Sequence, residues 1–126
     1  MKFKFGDFEA EIDAVDLDFE TRFEECYQKM VSDIGKIAPD GMRSGRILKY
    51  CTSVFCFFND LFGDGADKKI FGEKTNMRVC DSALETLSIC ISKSIEEYEK
   101  ESKEGMDRVS SAFGVKQNRA QRRAKK

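Results

Sequence analysis

Residues 47–91 restrict the fold most, because they hold two apolar faces at helical spacing on either side of a glycine-rich turn. Apolar residues recur there at steps of three and four, which is the spacing of one face of an α-helix. The first face contains Ile47, Leu48, Cys51, Phe55, Phe58, Leu61 and Phe62, and the second contains Met77, Cys80, Leu84, Leu87, Ile91 and Ile95. Two such faces separated by about a dozen residues are best buried against each other, so the pattern predicts an antiparallel helix pair.

A β-hairpin is predicted at the N-terminus, before the helices begin. Residues 2–12 alternate between apolar and mainly charged side chains, and the pair Gly6 and Asp7 interrupts the alternation at its centre. A Gly-Asp pair between two alternating runs is typical of a tight hairpin turn. Because an isolated hairpin is only marginally stable in water, its apolar face is expected to rest on the helices. Its outer edges would then be open for pairing with another chain.

Three helices are predicted, over residues 19–37, 45–62 and 77–103. The first is expected to begin after an N-cap at Asp16 or Asp18, because a carboxylate satisfies the N–H groups of a helix start. The second is expected to end at Gly63, which suits a C-cap. The third is expected to begin after a cap at Thr75 or Asn76.

The C-terminal third changes from apolar to charged. Residues 96–104 are mostly Glu and Lys, and Gly105 is expected to break the helix after them. Residues 106–115 carry apolar side chains at helical spacing and form either a short fourth helix or a segment that orders only on a partner. The predicted fold is therefore mainly α, with an N-terminal β-hairpin packed on a bundle of three helices, or four, in one domain over residues 1–115. Residues 116–126 are predicted to be a flexible basic tail.

The residue types present argue against a catalytic or metal site, and no cofactor is expected. The chain has no histidine, which removes the commonest general base and metal ligand and excludes Ser-His-Asp and Cys-His mechanisms. The five cysteines form no CxxC pair, so they are interpreted as reduced core residues, with Cys26, Cys51, Cys80 and Cys90 on apolar helical faces. The turn at residues 63–67 lacks the ending of a phosphate loop and the spacing of a calcium loop, so it is interpreted as a helix connection.

Charge is distributed unevenly along the chain. Residues 116–126 hold six positive charges and no negative ones, which leaves 16 basic and 23 acidic residues, a net charge of −7, in the rest. A basic tail on an acidic body suggests a tail that binds an anionic partner or the body of a neighbouring copy. Specific nucleic-acid binding is disfavoured, because the acidic body would repel phosphate. Since the chain has neither a run of about eighteen apolar residues nor a signal-peptide pattern, we expect a cytosolic protein without a membrane contact.

The order of these features resembles that of a known family. An aromatic helix ends in Asp-Leu-Phe-Gly-Asp-Gly at residues 60–65, and Lys-Ile-Phe-Gly-Glu-Lys-Thr-Asn follows at residues 69–76. Asn-Arg-Ala-Gln-Arg-Arg-Ala lies near the end of the chain, at residues 118–124. With the Phe-rich hairpin and the acidic first helix, the whole is similar to the small tail assembly chaperones that tailed phages and prophages of Gram-positive bacteria encode beside the tape measure gene.

This resemblance implies a non-enzymatic assembly factor. Chaperones of that kind coat the long, apolar, helical tape measure protein, keep it soluble, recruit tail tube subunits and leave before the tail is mature. The implied location is the cytoplasm of the bacterial host, and the mature virion would lack the protein. The expected partners are the tape measure protein, the tail tube protein and further copies of the chain in a ring or spiral. The alternative is a small nucleic-acid-binding or regulatory phage protein that acts through the basic tail.

Partner contacts are predicted on the aromatic body and on the basic tail. The second helix has an apolar surface wider than one stripe, which indicates either a buried central helix or a site that grips an amphipathic helix of a partner. Phe57 is predicted to lie off the main face of that helix, while Ile70 and Phe71 are expected to tuck under the helix pair. The residues predicted to contact partners are Tyr50, Phe57, Phe62 and Phe71 on the body and Arg119, Arg122 and Arg123 on the tail.

We expect simultaneous substitution of Arg119, Arg122 and Arg123 by Glu to weaken self-assembly or partner binding, because it replaces positive charges with negative ones. The oligomer size of the variant and the solubility of co-expressed tape measure protein measure the effect. A variant that leaves both quantities unchanged would exclude the tail from these contacts.

Overall fold

The structure, a computed structural model, describes residues 1–113 and confirms the predicted mainly helical fold with an N-terminal hairpin. Its elements are β1 (Lys2–Phe5), β2 (Phe8–Glu11), α1 (Leu17–Gly35), α2 (Arg43–Phe62), α3 (Ala66–Phe71) and α4 (Met77–Phe113). The sequence predicts α1 and α2 to within two residues at each end, but it does not predict α3. The expectations about the basic tail, including those for Arg119, Arg122 and Arg123, lie outside the described residues.

The strands β1 and β2 pair antiparallel with Phe5 opposite Phe8, so that Gly6 and Asp7 form a two-residue turn. Gly6 has φ +60°, which matches the first central residue of a type II′ turn and therefore the twist of the two strands. Phe3 is fully buried and stacks on a ring of α2 with 5.6 Å between ring centroids. The predicted hairpin and its packing on the helices are both confirmed.

Side-chain caps fix the starts of α1 and α4. The carboxylate of Asp16 accepts a hydrogen bond of 3.2 Å from an N–H group in the first turn of α1. The amide oxygen of Asn76 accepts bonds from two N–H groups in the first turn of α4. These N–H groups have no partner inside their helix, so each cap favours a helix start at that position. The sequence offers two candidates for each cap. The cap of α1 is Asp16 rather than Asp18, and the cap of α4 is Asn76 rather than Thr75.

The helices α2 and α4 run in the same direction, so the predicted antiparallel pair is wrong. Tyr50, early in α2, bonds to Asp81, early in α4, and Phe57, later in α2, lies beside Leu87, later in α4. The end of α1 lies against the starts of both, so α1 runs opposite to them. Helical periodicity shows which face of a helix is apolar, but the direction of packing depends on the connection.

The connection between α2 and α4 contains the short helix α3, which carries the chain back along α2. The N–H group of Asp67 donates to the side-chain oxygen of Asn59 at 3.0 Å, which ties the start of α3 to α2. At the end of α3, Phe71 contacts Phe55 with 4.9 Å between ring centroids, about two helical turns before α2 ends. The predicted burial of Ile70 and Phe71 is confirmed. This return brings the chain to the level at which α2 began, so α4 starts there.

The turn of the hairpin rests on the last turn of α3. The N–H group of Asp7 donates a hydrogen bond of 3.0 Å to the carbonyl oxygen of Lys69. Carbonyl groups in the last turn of a helix lack intrahelical partners, so the hairpin satisfies one of them. The main chains of the hairpin turn and α3 approach so closely at this point that residue 6 has no room for a Cβ atom, which only glycine lacks.

Helix α4 continues through Gly105, so the predicted break is wrong. One glycine costs a helix about 1 kcal/mol relative to alanine, which is too little to interrupt a run rich in Glu and Lys. The predicted fourth helix over residues 106–115 is, as far as the structure describes it, the end of α4. The chain divides within this helix into two compact units, Met1–Ser94 and Ile95–Lys126. The single domain over residues 1–115 stays a prediction.

Aromatic rings form much of the core of Met1–Ser94. The ring of Phe58 is fully buried at the centre of this network. It contacts the rings of Phe3, Phe57, Phe62 and Phe71. Through these contacts the network extends to all phenylalanines of the unit, and each well-oriented ring pair adds about 0.5–1.5 kcal/mol beyond its buried area. The network therefore joins β1, β2, α1, α2 and α3.

We expect Gly6→Ala to destabilise the fold more than Gly72→Ala. The two glycines have φ of +60° and +63°, so alanine suffers similar backbone strain, about 1–3 kcal/mol, at either position. A Cβ atom at Gly6 would also lie 2.6 Å from the carbonyl oxygen of Ile70, whereas one at Gly72 meets nothing within 4 Å. Urea denaturation of both variants measures the difference. Equal losses of unfolding free energy would show that the hairpin turn does not press on α3.

Candidate binding groove

An open apolar groove of about 460 Å³ lies between α1 and the first half of α4. Its lining consists of Phe23, Tyr27 and Met30 on α1, Phe57 on α2, and Leu84, Glu85, Leu87, Ser88, Ile91 and Ser92 on α4. The side chain of Tyr27 is 45% exposed at the opening. All the lining residues of the groove belong to the unit Met1–Ser94.

The groove forms because α1 and α4 present apolar side chains at the same helical spacing. On each helix the apolar lining residues follow at steps of three and four, which places them on one face. The rings of Phe23 and Tyr27 stack along α1 with 6.0 Å between their centroids. Phe57 forms the floor, where its ring meets Phe23 edge-on at 6.0 Å and Phe58 edge-on at 5.2 Å. The floor is therefore fixed by the aromatic core.

Polar and acidic side chains flank the groove. Glu85 and the exposed Ser88 line it on α4. On α1, Glu20 and Glu24 stand three residues before the two aromatic lining residues, which places them on the groove side of that helix. An apolar surface with acidic edges suits an amphipathic helix that carries basic residues beside its apolar stripe.

Tyr50 lies in a separate pocket, where the loop between α1 and α2 meets the start of α4. Its hydroxyl donates a hydrogen bond to the carboxylate of Asp81. Burial, this hydrogen bond and the negative charge of Asp81 all raise the pKa of Tyr50, so the phenol stays protonated near neutral pH. The pair ties α2 to α4, and Tyr50 takes no part in lining the groove.

The structure places the four predicted aromatic contact residues at different depths. Phe57 is 2% exposed and Phe71 is 6% exposed, so Phe57 is buried although the sequence places it off the main face of α2. The reason is that α1 covers that side of α2 through Phe23, although α2 also keeps exposed residues such as Leu48 and Cys56. Phe62 and Tyr50 are half-buried. Of the four, only Phe57 reaches the groove, as its floor, and a partner contact through the others stays a prediction.

Sequence reasoning missed Tyr27, Leu84 and Ile91 as candidate site residues. It assigned Leu84 and Ile91 to the apolar face of their helix, because helical spacing shows that a face is apolar but not whether a neighbour covers it. All three are partly or largely accessible in the groove. The residue type of Tyr27 could have indicated the groove from the sequence. A tyrosine suits a position where the ring packs on apolar side chains and the hydroxyl meets solvent.

Four of the five cysteines are buried, which confirms their predicted place in the core: Cys26, Cys51, Cys80 and Cys90. Cys56 is exposed. Burial raises the pKa of Cys26. Burial and a hydrogen bond with Cys51 raise the pKa of Cys80 to about 12. Because the thiolate is the reactive form, these two buried thiols are expected to be inert near neutral pH.

The described residues show neither a metal-binding cluster nor a buried polar side-chain atom without a hydrogen-bond partner. Within residues 1–113, no group of three or more Cys, Asp and Glu side chains could hold a metal ion. In the same part of the chain, no helix is long and apolar enough to cross a membrane. Its buried side-chain nitrogen and oxygen atoms all have hydrogen-bond partners, as when the hydroxyl of Ser94 accepts a bond of 3.0 Å from the N–H group of Ala14.

Residues 6–126 match DUF6673, a family of unknown function. The chain belongs to this family. No curated protein and no solved structure matches the chain. What this DUF6673 member does must therefore be inferred from its own groove and charges.

We expect native protein to show one fast-reacting thiol towards a chromogenic disulfide reagent at about pH 8, because Cys56 is exposed and the other thiols are buried. Cys56→Ser should remove the fast phase, and denaturation should reveal the remaining thiols. Fast reaction of Cys80 in the folded protein would show that the contact between α2 and α4 opens readily.

Proposed function

We propose that this protein is a non-enzymatic tail assembly chaperone that binds a phage tape measure protein, keeps it soluble and helps to recruit tail tube subunits. The observation that carries the proposal is the open apolar groove between α1 and α4. The resemblance of residues 60–76 and 118–124 to chaperones encoded beside tape measure genes supports the choice of partner.

The groove has the shape and lining that a partner helix needs. An amphipathic helix lays its apolar face into such a groove through anchor residues three, four and seven positions apart. Docking would bury the accessible parts of Tyr27, Leu84 and Ile91, which contributes about 25 cal/mol for each Å² of apolar surface removed from water. A tape measure protein outside the tail would expose apolar helical stripes, and covering them would keep that protein in solution.

The acidic edges of the groove favour one class of helix over others. Glu20, Glu24 and Glu85 would attract Lys and Arg beside the apolar stripe of a partner helix and repel acidic residues there. The net charge of −7 outside residues 116–126 would also keep a complex of many copies from aggregating.

The composition of the groove supports binding rather than catalysis. Its ionisable lining residues are one carboxylate, Glu85, and one phenol, Tyr27. General acid–base hydrolysis of the glycosidase type needs a pair of facing carboxylates, and nucleophilic catalysis needs a nucleophile with an adjacent base. The lining contains neither arrangement.

In this proposal the protein acts in the cytoplasm of the bacterial host and leaves before the virion is mature. Further copies would associate in a ring or spiral around the tape measure protein. The basic residues Arg119, Arg122 and Arg123 would contact the acidic body of a neighbouring copy or partner.

Co-expression with the neighbouring tape measure protein, followed by affinity capture and sizing, tests the proposal. We expect stoichiometric co-purification, and we expect Ser88→Glu to weaken it at least about tenfold, because burial of an unpaired carboxylate in the interface costs more than about 1.4 kcal/mol. Ile89→Glu is the matched control, since Ile89 neighbours Ser88 but is 49% exposed outside the groove.

Two outcomes would count against the proposal. If the tape measure protein precipitates while the wild-type chain remains free, the chaperone function is wrong. If Ser88→Glu captures the tape measure protein as well as Ile89→Glu does, the groove is not the binding site.

A further inference from the structure

The end of α4 carries an apolar stripe in the unit Ile95–Lys126. The apolar members are Ile95, Tyr98, Met106, Val109 and Phe113, which are 37–81% exposed. Together with Ser102 they follow at steps of three and four residues, so they lie on one face of the helix. An exposed apolar face, interrupted here only by Ser102, is typical of an interaction surface.

The last part of this stripe matches the groove in length. Met106, Val109 and Phe113 span seven residue steps, as do the groove residues from Leu84 to Ile91. At the rise of an α-helix, each set covers about 10 Å. The stripe supplies aliphatic and aromatic side chains, and the groove is lined by the same kinds of side chain.

Charge favours the same pairing. Six basic residues and no acidic ones follow the stripe, at residues 116–126. The edges of the groove carry Glu20, Glu24 and Glu85. A helix that docks with Phe113 towards the Phe23 end of the groove brings residue 113 near the acidic start of α1, whose charge would attract the basic residues that follow in the sequence.

We propose that residues 106–113 of one copy dock in the groove between α1 and α4 of a second copy. A second copy is required because α4 supplies both one wall of the groove and the docking stripe. The contact is heterologous, so repetition builds a closed ring or an open helical filament. Its few apolar anchors make a small interface, which suits an exchanging contact rather than a permanent one.

This inference rests on the groove assigned under the proposed function and adds a means of regulation. A tape measure helix and residues 106–113 of a neighbouring copy would compete for the same groove. Copies would therefore associate with one another when partner is absent and rearrange when partner is present.

A mixing experiment with two folded variants tests the proposal. The stripe variant carries Val109→Glu and Phe113→Glu, at side chains that are 45% and 81% exposed. The groove variant carries Ser88→Glu. Light scattering after size exclusion should show concentration-dependent oligomers for wild type and a monomer for each variant. An equimolar mixture should form a one-to-one dimer that grows no further, because it contains one intact stripe and one intact groove.

Matched controls identify the surfaces. Ser111→Glu and Ile89→Glu each place one carboxylate on α4 outside the stripe and the groove, and both should assemble as wild type does. Circular dichroism and thermal unfolding establish that all variants are folded.

Several results would overturn the proposal. These are a wild-type monomer at every concentration up to the solubility limit, assembly of either variant as in wild type, and folded monomeric variants whose mixture remains monomeric. The stripe variant keeps its groove, so its capture of tape measure protein tests the proposed function separately. Loss of self-assembly with retained capture would leave that function intact.

Discussion

The stacking of Phe3 against Phe58 is the contact on which the fold of Met1–Ser94 depends. Both rings are fully buried, with 5.9 Å between centroids and an interplanar angle of 13°. A two-stranded hairpin is not stable alone, and a helix gains most of its stability from packing one face. This ring pair joins the hairpin to α2, beside the contacts of Phe62 with both strands, and α3 closes over the same site through Phe71. The N-terminal strands are therefore part of the core rather than an appendage.

The same network accounts for the groove. The ring of Phe57 meets Phe23 and Phe58 edge-on and occupies the space between α1 and α4. Each of these helices packs on α2, and their facing sides remain open above that ring. An interior packed at the density of an organic crystal offers little room for adjustment, so the opening is maintained by the core beneath it. Binding capacity and stability thus depend on the same side chains.

The sequence predicts the local features of this fold because local features depend on nearby residues. The turn at Gly6 and Asp7 and the caps at Asp16 and Asn76 follow from residue types within a few positions. The direction of α4 does not, because it depends on α3, a six-residue helix too short to show periodicity. The burial of Phe57 depends on α1, a separate helix, so the sequence leaves it open whether Phe57 is buried or contacts a partner. For the groove, the sequence predicts apolar helix faces but not that the faces of α1 and α4 meet with a gap between them.

The hydrogen bond from the N–H group of Ala14 to the hydroxyl of Ser94 has a consequence for the order of folding. Its partners are 80 residues apart, and the bond is buried. A ribosome makes the hairpin first, yet the connection between β2 and α1 gains its partner only after α4 has emerged as far as Ser94. Contacts of such long sequence separation form late, because loop closure must precede them. Until that point the connection between β2 and α1 lacks this hydrogen-bond partner, and a chain that stops before Ser94 never acquires it.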